Sequence, residues 1–155
     1  MTIFLAADHA GLALKDKVRA WLKGLGYDVA DEGAFELDEK DDYPDFMSIV
    51  AKQVASNPSE HRGIIFGGSG QGEAMTANRY PGVRAAVYYG GAEKIITLSR
   101  EHNDANVLAV GARFVDEAEA IKMVKLWLET KFTGEERHRR RIAKVDNLIE
   151  KEYEF

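Results

Sequence analysis

The segment Gly67 to Met75, GGSGQGEAM, holds four glycines and ends near a glutamate, Glu73. A glycine loop that leads into a helix presents backbone N–H groups without intrahelical partners, and these groups favour an anion. The anion can be transient, such as the oxyanion of an enediolate. Glu73 is then a candidate general base for a carbon-bound proton beside that oxygen. The alternative is that Glu73 only occupies a first helical turn, where acids are favoured anyway.

The same segment departs from three familiar glycine motifs. A dinucleotide-binding motif needs a third glycine where Glu73 stands, and a P-loop needs a lysine at that same position. A hydrolase elbow needs a glycine where Gln71 stands. A nucleotide-binding domain of flavodoxin type therefore remains only as an alternative, and a nucleophilic serine is not indicated.

Other polar residues stand next to apolar runs. Asp8, followed by His9, could cap a helix or hold a substrate hydroxyl. His102, followed by Asn103, could be a proton shuttle near neutral pH or only a helix-terminal histidine with turn-forming partners. Arg113 follows a fifth apolar run.

The segment RHRRR, Arg137 to Arg141, is a basic cluster in an acidic chain. On a helix Arg137 and Arg141 share a face, with His138 nearby, and arginine binds phosphate in a forked manner. The alternatives are a solvated face paired with Glu135, Glu136 and Glu150, or a nucleic-acid contact, although interleaved aromatic residues are missing.

The elements that must position these residues alternate along the chain. Short apolar runs predict strands at 3–8, 27–31, 63–66, 83–88 and 106–111. Runs of helical period predict helices at 12–25, 45–56, from 73, at 92–101, from a cap at Asp116, and after Gly134 to about Tyr153. This order predicts a three-layer α/β/α Rossmann-like fold with a five-stranded parallel sheet. Because ligands bind at the carboxyl ends of such strands, we expect the polar groups to gather there.

Composition narrows the class of protein. The 155 residues are expected to form one domain, 1–155, and a formal net charge of -5 argues against a general nucleic-acid or membrane-surface partner. The absence of cysteine excludes disulfides and thiolate metal sites, and the four histidines lack paired metal-ligand spacing. The segment MTIFLAADHAG lacks the basic region of a signal peptide, so we do not expect it to be one, and no apolar run reaches the roughly 20 residues that span a bilayer. We therefore expect a cytoplasmic protein without a metal.

Five motifs in order resemble the type B ribose-5-phosphate isomerases, a family that also contains the galactose-6-phosphate isomerase subunits. They are AADHAG, DYPDF at 42–46, GGSGQGE followed by TANRYPGVRAA, SREHNDANVLAVGAR, and RHRRRIAK. One version of the family carries a cysteine base at the start of the glycine loop, and the other carries a glutamate at its end. Gly67 stands at the cysteine position, so the resemblance assigns the base to Glu73.

The resemblance implies aldose–ketose isomerisation of ribose 5-phosphate and ribulose 5-phosphate through a cis-enediolate, without cofactor. Glu73 would move the proton between C1 and C2, His102 would open the sugar ring, and Asn103 would assist at the oxyanion. The loop residues Gly68, Ser69, Gly70, Gln71 and Gly72 would line the site, Asp8 would position hydroxyls, and Tyr43 would line the pocket. The phosphate would be held by His9, Arg113, Arg137, His138 and Arg141.

The resemblance also implies a homodimer, with a tetramer as an alternative. The site would lie between subunits, and the C-terminal helix would extend to the partner. The alternative substrates are the six-carbon sugars allose 6-phosphate and galactose 6-phosphate, and the alternative class of protein is a non-catalytic sugar-phosphate sensor.

Overall fold

Residues 1–148 form five strands and six helices that alternate almost strictly. The computed structural model describes residues 1–148, so the part of the predicted last helix beyond them, and the predicted pairing of Glu150, lie outside the described residues. The strands are β1 (Thr2–Ala7), β2 (Asp28–Asp31), β3 (Arg62–Gly67), β4 (Ala85–Tyr88) and β5 (Val107–Gly111). The helices are α1 (Leu12–Gly24), α2 (Tyr43–Ser56), α3 (Gln71–Ala77), α4 (Lys94–Glu101), α5 (Glu117–Glu129) and α6 (Glu136–Asp146).

All five strands are parallel and lie in the order β2-β1-β3-β5-β4. The chain moves from β1 outward to β2 and then crosses back over β1 to β3. This change of direction opens a crevice at the carboxyl ends of β1 and β3, which is where ligands bind in doubly wound sheets. The predicted five-stranded parallel sheet is confirmed, and the strand order is new information from the tertiary structure.

Each face of the sheet is covered by its own apolar layer, which confirms the three-layer architecture. One layer packs α1, α4 and α5 through residues such as Val18, Ile96 and Trp127. The other packs α2 and α3 through residues such as Val50 and Ala77. Among residues 1–148, no helix combines the length and apolarity that a membrane span requires.

Local signals mark the starts of α2 and α5, although α2 begins at Tyr43, two residues before the predicted 45. Pro44 lies in the first turn of α2, where its missing N–H has no intrahelical partner to lose. The side chain of Asp116 accepts a hydrogen bond from the backbone N–H of Glu119 at 2.8 Å and so caps α5 as predicted. α3 begins at Gln71, two residues before the predicted start, so Glu73 lies inside its first turn.

Candidate active site

The carboxylate of Glu73 lies directly over the α-carbon of Gly67. A β-carbon built on Gly67 would lie 2.7 Å from Oε2 of Glu73 and closer still to Oε1. Glu73 is 4% exposed, although it lies in the first turn of α3, the helix that follows the carboxyl end of β3. The side chain of Glu73 therefore folds back into the glycine loop. An acid that only complemented the helix dipole could do so from an exposed position.

Burial raises the pKa of Glu73 above its ordinary value of 4.5. The backbone N–H groups of Glu73 itself and of Gly70 oppose this effect, and the nearby negative charge of Asp8 adds to it. The helix N-terminus and burial act in opposite directions on a carboxylate in this position. Here burial dominates, so the carboxylate is a stronger base than an exposed glutamate.

Neighbouring side chains pack closely against the other glycines of the loop. A β-carbon on Gly72 would lie 2.6 Å from the ring of Tyr43, and one on Gly68 would lie 3.2 Å from Nη1 of Arg113. Gly70 has a φ of 80°, the left-handed region that glycine adopts without strain. The hydroxyl of Ser69 accepts a hydrogen bond from the N–H of Gln71 at 3.3 Å. The loop thus brings Tyr43, Arg113 and Glu73 to one crevice.

Asp8 and His9 stand at the carboxyl end of β1, beside this loop. Oδ1 of Asp8 accepts from the N–H of Gly11 at 3.0 Å, so the buried aspartate fixes the turn that precedes α1, but the N-cap of α1 is Gly11 and no side chain caps this helix. Nδ1 of His9 forms a 2.6 Å hydrogen bond with Oδ1 of Asp41. That bond raises the pKa of His9 above 6.5, Asp8 and Asp41 add to the rise through their charges, and burial and Arg113 oppose it.

Asp8, His9 and Asp41 also form the one group among residues 1–148 whose ligand-type atoms all lie within 4.8 Å of one another. The ring of His9 already uses Nδ1 to bond Asp41, and the carboxylate of Asp8 already receives Gly11. The cluster is thus a hydrogen-bonded set, and we assign no metal to it.

His102 and Asn103 do not join the crevice of the same chain, contrary to the expectation that all polar groups would gather at one edge. They end α4 and precede β5, which places them at the amino edge of the sheet. Glu73 lies at the carboxyl edge, because Gly67 pairs with Gly111 at the end of β5. At about 3.3 Å per residue, β5 separates the two edges by roughly 13 Å. A residue just before a strand and a residue just after one lie at opposite ends of the sheet.

His102 stacks on His138 of α6. The ring centroids are 4.2 Å apart and the planes differ by 17°. His138 is 3% exposed, and its Nε2 has no hydrogen-bond partner among the described residues. Burial lowers the pKa of His138, and the neighbouring His102 lowers it further. The sequence separation of these two histidines gave no sign that they would meet.

The basic cluster lies on α6, at the same end of the molecule as His102. Arg137 pairs with Glu135 at 2.8 Å and Arg140 pairs with Glu136 at 3.2 Å, as predicted for an exposed face. Arg141, one turn after Arg137, lines a cavity of about 510 Å³ together with Asn103. The structure of one chain therefore groups Arg137, His138 and Arg141 with His102 and Asn103, away from Arg113 and His9.

Two residues near the candidate site are absent from the sequence predictions. Asp41 comes from the polar loop between β2 and α2, and its partner His9 is 32 residues away. Arg84 donates from Nε to the carbonyl of Asn103 at 3.0 Å and holds the turn that carries His102. Asp41 directly precedes the DYPDF motif and Arg84 lies within TANRYPGVRAA, but neither motif indicates the partner of these side chains.

The fold and this crevice together define an α/β enzyme of the Rossmann-like class, with a buried carboxylate available for proton transfer beside a glycine loop. A family model described as ribose/galactose isomerase matches residues 3–145. The chain belongs to this family.

Relatives in the family resemble the chain over most of its length. A probable ribose-5-phosphate isomerase B of Mycoplasma genitalium is 43% identical over 143 residues, 92% of each chain. Ribose-5-phosphate isomerase B of Mycobacterium tuberculosis is 39% identical, over 92% of this chain and 86% of the relative. The solved Mycoplasma genitalium enzyme with bound ribulose-5-phosphate matches with a TM-score of 0.91 over 97% of each chain at 43% identity.

Proposed function

We propose that the protein is an aldose–ketose isomerase that interconverts ribose 5-phosphate and ribulose 5-phosphate. The observation that carries the proposal is the buried carboxylate of Glu73, held over Gly67 within an anion-favouring loop. Its pKa is raised by burial, as a base acting on a weakly acidic C–H requires. Relatives at about 40% identity carry the same activity in their names.

In this proposal Glu73 acts on the open-chain sugar. Its carboxylate removes the proton from C2 of the aldose, and the electron pair moves toward C1 so that O1 becomes an oxyanion. N–H groups of the loop from Gly70 to Glu73, together with Ser69, stabilise that oxyanion. Transfer of the O2 proton to O1 and return of the carbon-bound proton to C1 complete the ketose. The sequence of steps needs neither metal nor organic cofactor.

The proposed site is built from two copies of the chain. One copy supplies Glu73, Asp8, His9, Tyr43 and Arg113 from the carboxyl edge of its sheet. Its partner supplies the second group, which opens the ring, assists at the oxyanion and holds the phosphate: His102, Asn103, Arg137, His138 and Arg141. The support for this arrangement is the length of β5, roughly 13 Å, which separates the two groups within one chain. One bound five-carbon sugar phosphate is too short to contact Glu73 and His102 of the same chain together. A homodimer can bring the two groups together, because a two-fold interface places the same pair of surfaces against each other twice and so forms two equal sites.

The charge distribution supports the assignment of the phosphate. Arg137 and Arg141 project from the same face of α6, and forked guanidinium groups suit phosphate oxygens. The glycine loop lacks a P-loop lysine, and its buried carboxylate would repel a phosphate. We place the reacting carbons at the loop and the phosphate at the arginines.

The proposal includes a single domain over 1–155 and a cytoplasmic location. The absence of cysteine is consistent with a reducing compartment.

Steady-state isomerisation of ribose 5-phosphate, with allose 6-phosphate and galactose 6-phosphate in parallel, tests the function. We expect the largest kcat/KM for ribose 5-phosphate. A large preference for a six-carbon substrate would replace that substrate with the alternative while leaving the reaction intact. Binding of these sugars without turnover of any of them would contradict the enzyme and favour a sugar-phosphate sensor.

A further inference from the structure

The loop between β2 and α2 brings a buried carboxylate to the candidate phosphate ligand His9. Oδ1 of Asp41 lies 2.6 Å from Nδ1 of His9, and the side chain of Asp41 is only 7% exposed. An ionised carboxylate can only accept, so the proton of this bond belongs to Nδ1. The second ring nitrogen, Nε2, is then the atom that His9 has left for a ligand.

The fold holds this loop in place from its beginning. The N–H of Ala7 donates to the carbonyl of Gly33 at 2.7 Å, and the N–H of Ala34 donates to the carbonyl of Ala7 at 2.8 Å. Nζ of the fully buried Lys15 donates to the carbonyl of Ala34 at 2.6 Å. The first residues of the loop therefore continue the pairing of β2 with β1.

The carboxylate of Asp41 has no other side-chain or backbone donor among residues 1–148. Oδ2 is buried without a partner, and Oδ1 bonds only His9. Buried carboxylate oxygens that serve the fold are normally fully hydrogen-bonded. An acid that had only to stabilise the loop would use both oxygens within it.

We infer that Asp41 is a positioning residue, which fixes the ring of His9 through Nδ1 and so presents Nε2–H of the imidazolium to the phosphate of the substrate. The inference rests on the proposed function, because it takes His9 to be a phosphate ligand. Asp41 itself acts only through His9. The same arrangement is used where a carboxylate fixes the tautomer and orientation of a functional histidine.

The charges that face His9 agree with an imidazolium. The hydrogen bond from Asp41 raises the pKa of His9 most, and the charges of Asp8 and Asp41 add to it. Burial and the cation of Arg113 act the other way but do not cancel the rise. Without the charge of Asp41, burial and Arg113 would oppose Asp8 alone, so His9 would lose its proton at a lower pH.

Three variants separate this role from a role in folding. Asp41→Asn keeps the size and an acceptor oxygen but removes the charge, and His9→Ala removes the group through which Asp41 acts. Glu39→Gln is the matched control, because it removes the same charge from the same loop at an exposed side chain, and the hydrogen bond and ion pair described for His9 and Asp41 do not involve it. Circular dichroism and thermal unfolding establish that each variant is folded.

The first measurement is the pKa of His9 by NMR of the imidazole, which needs no turnover. We expect Asp41→Asn to lower that pKa toward 6.5 and Glu39→Gln to leave it unchanged. The second is the Kd for ribose 5-phosphate at pH 7.5. We expect about a tenfold weakening in Asp41→Asn, and no further weakening when Asp41→Asn is added to His9→Ala, since both act on one contact.

An unchanged pKa of His9 in Asp41→Asn, wild-type affinity in that variant, or additive losses in the double variant would each overturn the inference. If the wild type turns over ribose 5-phosphate, any of these results contradicts the role of Asp41 but not the proposed isomerase function. The opposite result is also informative. If the pKa and Kd change as expected but the wild type turns over no sugar phosphate, Asp41 does position His9 and the proposed isomerase function is wrong.

Discussion

The carboxylate of Glu73 fills the space in which a side chain at position 67 would lie. Gly67 therefore does more than end β3, because its bare α-carbon is what allows the glutamate to fold back over the loop. The two positions cannot both carry a functional side chain in this geometry.

Gly67→Ala should displace the carboxylate of Glu73 while leaving the fold intact. The added methyl group would collide with the far end of a flexible side chain, and Gly67 has no positive φ that alanine would strain. We expect kcat to fall about 100-fold, because a small misplacement of a catalytic group can cost that much. Thermal unfolding should change little. Turnover near the wild-type rate would show that the carboxylate need not occupy this position.

Glu73→Gln should reduce kcat by about 10²- to 10⁴-fold, the usual contribution of a general base. Binding of ribose 5-phosphate, measured by calorimetry, should be largely kept. The wild-type kcat/KM should decline as the pH falls through the raised pKa of Glu73, since only the carboxylate can accept a proton. An active Glu73→Gln variant would contradict the assignment of the base.

The same substitution should change stability with a definite sign. The pKa of Glu73 is raised in the folded protein, so the folded state binds this proton more tightly than the unfolded state does. The resulting contribution to the free energy of unfolding is fully present at acid pH and is lost as the pH rises from 4.5 through the pKa of the folded protein. Glu73→Gln is neutral at every pH and avoids that loss. We therefore expect its Tm to exceed that of the wild type by a few degrees at pH 8, with a smaller difference at pH 4. Equal differences at both pH values would argue against the raised pKa.

Complementation between variants tests the division of the site. Glu73→Gln and His102→Ala homodimers should both be nearly inactive, since each variant lacks one group in both sites. After subunit exchange, half of the dimers would be mixed and one of their two sites would be wild type, giving about a quarter of wild-type activity. Exchange is verified by mass spectrometry of tagged subunits. No recovery after verified exchange would mean that each site is formed by a single chain.

Arg137→Ala should raise KM for ribose 5-phosphate about tenfold and change kcat by less than about twofold, as expected for loss of a phosphate contact distant from the reacting carbons. Arg140→Ala is the matched control, because Arg140 is an exposed arginine of the same helix that pairs with Glu136. Equal effects of the two substitutions would indicate that only the net charge of α6 matters.

Features set by nearby residues were predictable from the sequence. The alternation of apolar and amphipathic runs predicted the parallel sheet covered on both faces, and Pro44 and Asp116 marked the starts of two helices. The position of Glu73 relative to the glycines was also visible, because the loop and the helix are continuous in sequence. In each case the interaction joins residues a few positions apart, so the pattern itself contains both partners.

Features that join distant parts of the chain required the tertiary structure. The order β2-β1-β3-β5-β4 depends on how each crossover packs, and no local signal specifies it. It is this arrangement that separates His102 from Glu73, brings His138 onto His102, and places Asp41 against His9 across 32 residues. The sequence by itself determined which chemical groups the protein has and which elements carry them. The packing of the crossovers decided which of those groups meet, because contacts between remote elements depend on the whole sheet and not on any one segment.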